Sequence, residues 1–64
     1  MSFSDRIKEA RLERNLTEEQ LAELIGVHPR TYRNYEAGKT VPRIQNIRKL
    51  CIALGASADD LLEM

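Results

Sequence analysis

Apolar positions in this chain recur at helical spacing, and no run alternates as a half-buried strand would. Ser2 or Ser4 can cap a first helix running to about Asn15, with Ile7, Ala10 and Arg11 on its inner stripe. Asn15-Leu16 breaks it. Thr17 and Gln20 have the spacing of a capping box and open a second helix, with Leu21, Leu24 and Ile25 inward. Gly26 stops that helix, and Pro29 suits the first position of a third, with His28 at its cap. The third helix ends at Ala37-Gly38, and Lys39 to Arg43 form a loop that Pro42 stiffens. A fourth helix runs from about Ile44 to Leu54 and buries Ile44, Ile47, Leu50, Cys51 and Leu54. Gly55 ends it. Ser57 caps a fifth, with Asp59 and Asp60 in its first turn, where the helix dipole favours negative charge, and Leu61 and Leu62 closing the core. The expectation is an all-α chain of five short helices.

The two middle helices define the geometry. Only Gly26, Val27 and His28 separate them, which is the spacing of a helix-turn-helix at about residues 18–37. So short a turn prevents antiparallel stacking, and the third helix must cross the second steeply and project outward. Helical phase puts Pro29, Arg30, Arg33, Asn34 and Ala37 on one side and Thr31, Tyr32 and Tyr35 on the other. The tyrosines belong with the core, and packing is the better reading of them than stacking platforms for single strands.

Charge sharpens the picture. The 64 residues carry ten basic and ten acidic side chains, a formal net charge of zero. Residues 1–25 hold four basic and six acidic groups, and residues 50–64 hold three acidic groups and no basic one. Residues 26–49 hold six basic groups against Glu36 alone. A basic stripe on an otherwise acidic protein is a footprint for an anion, most often a nucleic-acid backbone, with a plain solvated face as the alternative.

Other classes recede. One cysteine permits no internal disulfide, and with a single histidine it cannot complete a four-ligand zinc site of cysteines and histidines. Nothing resembles a phosphate-cradling loop, a second histidine or a catalytic carboxylate pair, so no enzyme, cofactor, metal or small-molecule ligand is expected. Without a long apolar run or a signal-peptide core, the chain reads as a cytoplasmic, single-domain protein over residues 1–64 with no membrane partner.

The sequence resembles the XRE-type helix-turn-helix family, which includes phage repressors and Cro proteins. The matching residues are Arg11, Leu16–Val27 ("LTEEQLAELIGV"), Thr31–Lys39 ("TYRNYEAGK"), Pro42 and Leu50–Ser57 ("LCIALGAS"). The resemblance implies a lambda-repressor-like fold. It also implies double-stranded DNA binding as a homodimeric transcriptional regulator, as a repressor, with the third helix in the major groove. It brings in an ion pair between Arg11 and Glu36, which the isolation of Glu36 among basic residues supports; a surface pair is the alternative.

On that reading Arg30, Arg33 and Asn34 contact bases or phosphates, flanked by His28 and Pro29. Lys39, Thr40 and Arg43 follow on the loop and suit phosphate or the minor groove, unless they form an ordinary basic loop. Thr17 opens the helix whose N-terminus faces the backbone. Two positions depart from the family pattern. Glu18 stands where many members carry a phosphate-clasping Gln, and its carboxylate repels phosphate. His28 replaces a Ser or Thr; a neutral imidazole is a mediocre cap, so it reads as a groove-edge or phosphate neighbour, or as a plain exposed turn residue. Cys51 reads as a buried thiol. Ile52, where the family has a polar residue, points with Ala56 and Ala58 to a dimer contact at the corner of helices four and five. The competing class is a protein-interaction module that keeps the fold with weak or no DNA binding.

Overall fold

The computed structural model describes residues 2–62, so the expected domain of 1–64 extends past the described residues at both ends. Five helices follow in order: α1 (Phe3–Glu13), α2 (Glu18–Ile25), α3 (Pro29–Glu36), α4 (Ile44–Leu54) and α5 (Ala58–Leu62). Their starts are chemical. Ser2, not Ser4, caps α1: its Oγ accepts from the Asp5 amide at 3.2 Å, and the Asp5 carboxylate accepts from the Ser2 amide at 3.4 Å. Thr17 and Gln20 form the expected reciprocal box, at 3.0 and 2.8 Å. Ser57 Oγ accepts from the Asp60 amide at 3.1 Å and starts α5.

The first four helices end in a common way, with a left-handed residue and a backbone bond reaching back five positions. Leu16 N–H donates to Arg11, Val27 to Ala22, Lys39 to Asn34 and Ala56 to Cys51, at 3.0–3.2 Å. These bonds satisfy carbonyls that the helix end leaves unpaired. Asn15 holds the left-handed conformation after α1, with φ +56°, a role asparagine tolerates better than other side chains. Gly26 does the same between α2 and α3, with φ +75°.

The core joins Ile7, Leu21, Ala22, Ile25, Tyr32, Tyr35, Leu50, Leu54 and Leu61, with Phe3, Leu16, Val27 and Ala53 packed against it. Helix α3 lies on α2 and α1; α4 packs on α2, α1 and α5; and α5 also closes against α1. Two expected core residues are outside. Leu24 is 61% exposed, because the buried arc of α2 runs through Leu21, Ala22 and Ile25. Ile44 is also 61% exposed: Pro42 is the residue buried at the entry to α4, and the stripe begins at Ile47. Cys51 is half-buried, not buried as expected, and desolvation raises its thiol pKa. Leu61 closes the core while Leu62 is half-buried.

Candidate nucleic-acid interface

Helix α3 is gripped at both ends. At its start, His28 Nδ1 accepts from the Arg30 amide at 3.0 Å, so His28 is a working cap. This corrects the view of it as a poor one: a neutral imidazole with its proton on Nε2 presents Nδ1 as an acceptor. At its end, Glu36 is fixed by α1. Arg11 Nε donates to Glu36 Oε2 at 2.7 Å and Nη2 to Oε1 at 3.3 Å, while Nη1 donates to the Leu16 carbonyl at 2.8 Å. The paired side chains are only 10% and 7% exposed, so the surface-pair alternative falls. The hydroxyl of buried Tyr32 also donates to Glu36 Oε2. Hydrogen bonding to Glu36 raises the Arg11 pKa; burial first, then Glu36, pushes the Tyr32 phenol far above its ordinary range.

The inner face of α3 is apolar and specific. Tyr32 and Tyr35 meet edge to face, with centroids 6.3 Å apart and planes at 82°. Asn46 of α4 donates to the Tyr35 hydroxyl at 3.4 Å. The tyrosines are therefore packing residues and no stacking platform.

The outer face collects the expected residues. Arg30 and Arg33 are exposed, and Pro29 and Asn34 are half-buried. Lys39, Thr40 and Arg43 are exposed on the loop that follows, and the Asn34 carbonyl accepts from the Lys39 amide at 3.0 Å, tying that loop to α3. Arg43 sits in the cap position of α4 without a side-chain cap bond. Thr17 Oγ1 is an acceptor in its box, so its own proton stays available to a partner.

Arg33 carries a contact that no local spacing announces. Its Nη2 donates to Glu19 Oε2, and its Nε lies 3.5 Å from Glu18 Oε1. Glu18 is therefore not a bare charge beside the interface. Backbone hydrogen bonding at the helix start, and then Arg33, hold the Glu19 carboxyl below its usual range. On α4 and α5, Ile52 is 83% exposed and Ala58 exposed, whereas Ala56 is half-buried against the chain's own core.

This geometry is that of a known family: the sequence profile described as helix-turn-helix matches residues 7–61. The chain belongs to the XRE-type helix-turn-helix family. Members of this XRE-type family are DNA-binding transcriptional regulators, not enzymes. The chain is 37% identical over 60 residues to the cryptic phage CTXphi transcriptional repressor RstR of Vibrio cholerae, covering 94% of this chain and 54% of the repressor. It is 48% identical over 50 residues to multiprotein-bridging factor 1b of Arabidopsis thaliana, covering 78% and 35% respectively. Its fold matches that of the phage P22 c2 repressor, solved in complex with synthetic operator 9T. The TM-score is 0.94 and the identity 27%, over 98% of this chain and 96% of that one. The chain spans about half the length of the phage-derived relatives it matches.

Proposed function

We propose that residues 1–64 form one DNA-binding domain that acts as a homodimeric transcriptional repressor, with α3 in the major groove of double-stranded DNA. The observation that carries this reading is the grip on α3. A helix capped by His28 and pinned through Glu36 offers Arg30 and Asn34 to base edges on a rigid frame. Arg forks to guanine O6 and N7, and Asn to adenine N6 and N7. Lys39, Thr40 and Arg43 continue the same line, where phosphate contacts fix register. His28, Pro29 and Thr17 complete the edge facing the backbone. The likeness to the operator-bound P22 c2 repressor and to RstR supports both DNA as partner and repression as effect.

A dimer follows from reach, because one recognition helix covers only a few base pairs. Ile52 and Ala58 are the exposed candidates for its contact. Ile44, about two turns before Ile52 on α4, is a second exposed apolar residue of that helix. No described helix is long and apolar enough to cross a membrane, and a cytoplasmic site of action fits the role.

The interaction-module reading keeps one observation in its favour, the similarity to multiprotein-bridging factors of plants and yeasts. A fluorescence titration against random duplex DNA at two salt concentrations separates the readings. Measurable affinity that falls steeply with salt supports DNA binding; affinity absent at both salts supports the protein partner.

A further inference from the structure

We propose that Arg33, Glu18 and Glu19 form a specificity device in which two carboxylates turn Arg33 from a phosphate ligand into a reader of guanine. The inference rests on the DNA-binding reading above and concerns how the interface discriminates between sites.

Arg33 lies on the outward side of α3, one position before Asn34, where an unpaired arginine would meet the DNA backbone or a base edge. Its guanidinium is engaged along one edge only. Nε faces Glu18 at 3.5 Å, and Nη2 donates to Glu19. These two nitrogens form the side-on edge of the fork. The end-on edge, made by Nη1 and the second N–H of Nη2, is not engaged by either carboxylate. Its two parallel donors match guanine O6 and N7.

The charges give this geometry a direction. One guanidinium against two carboxylates leaves a local excess of negative charge at the meeting of α2 and α3. A phosphate is attracted by net charge, so it gains little from an arginine already neutralised and is repelled by the second carboxylate. The guanine edge is a pair of neutral acceptors and responds chiefly to aligned N–H groups. The clamp therefore weakens phosphate contact more than guanine contact, which is discrimination by disfavouring the wrong partner. Arg33 and Glu19 are about half-exposed and Glu18 is about one-third exposed, so the pairs adjust readily when DNA arrives.

The test uses the whole chain and duplexes enriched by it from a randomised library, with scrambled duplexes as the non-specific probe. The readouts are affinity and salt slope for both classes. Glu18→Gln combined with Glu19→Gln keeps the side-chain shapes and removes both charges. The expected result is tighter binding to scrambled duplexes, a salt slope steeper by about one, and a smaller ratio of specific to non-specific affinity. Arg33→Ala is expected to erase a preference for guanine at one position, with the salt slope unchanged. A ratio that stays constant or rises in the Gln variant overturns the proposal. So does an Arg33→Ala variant that weakens all sequences alike and lowers the salt slope by about one, because Arg33 is then a phosphate ligand. In both cases the parent still binds DNA and the domain's function stands. A parent that enriches no duplex overturns this proposal together with the reading beneath it. Urea midpoints of the variants, all altered at exposed or half-exposed side chains, separate binding effects from misfolding.

Discussion

Arg11 is the residue on which the orientation of α3 depends most. Its guanidinium spends three nitrogens on Glu36 and on the Leu16 carbonyl, at 2.7–3.3 Å. Arg11→Met would strand Glu36 as a charge with only the Tyr32 hydroxyl to stabilise it. Breaking a buried pair from one side costs about 3–5 kcal/mol. Arg14, exposed at the C-cap of α1, serves as the control, and Arg14→Met is expected to stay within about 0.5 kcal/mol of the parent. Equal urea midpoints for the two variants would refute the assignment. Tyr32 supplies a pH signature. The fold holds its phenol neutral, so its folded pKa is raised above the ordinary 10.0. A group with a raised folded pKa contributes fully below its unfolded pKa and loses that contribution as pH rises. Stability should therefore fall as pH climbs past about 10, more steeply in the parent than in Tyr32→Phe. Matching alkaline slopes in urea melts at successive pH values would contradict this.

The helices themselves were largely legible, because their punctuation is local. Thr17 with Gln20, Pro29 after Gly26, and Ser57 before two aspartates are signals carried within a few residues. The turn between α2 and α3 can be tested on that basis. Gly26 has φ +75° and nothing within 4 Å of where a Cβ would stand, so Gly26→Ala meets backbone strain without a clash. The expected loss is about 1–2 kcal/mol, read from thermal or urea melts. No loss would mean that the turn tolerates a side chain in the left-handed region. What was not legible depends on rotation and on distance along the chain. An apolar arc of Leu21, Ala22, Leu24 and Ile25 can face inward toward either side, and only packing against the neighbouring helices turned Leu24 out. Ile44 failed for a related reason, since Pro42 was the residue buried there. His28 was undervalued because a capping rank averages over tautomers, whereas one well-placed Nδ1 suffices. The Arg33 clamp spans fourteen positions in sequence; only the steep crossing of α2 and α3 brings it together, so no spacing rule could find it. The Arg11–Glu36 pair came from family resemblance.

At the scale of the whole molecule, the charge map and the fold agree. The basic stripe follows α3 and the loop after it and continues into α4 with Arg48 and Lys49, where Ile52 is 83% exposed. If Ile52 forms the centre of a dimer contact, Ile52→Glu should leave monomer stability within about 0.5 kcal/mol while weakening binding to two-half-site duplexes. Binding to a single half-site should be unchanged. Sedimentation showing one protomer on a two-half-site duplex, for the parent, would defeat the dimer. The central claim is that the outward face of α3 reads bases while the loop holds the backbone. It is tested most directly by one set of fluorescence titrations, on enriched and scrambled duplexes at two salt concentrations, of the parent and four single alanine variants. Arg30→Ala and Asn34→Ala should each lose about 1–3 kcal/mol on the enriched site and relax one base position, with scrambled binding little changed. Lys39→Ala and Arg43→Ala should weaken both classes alike and lower the salt slope by about one for each phosphate contact removed. A parent that binds neither duplex, or four variants that bind as the parent does, would contradict the account and assign the arginine face to a protein partner.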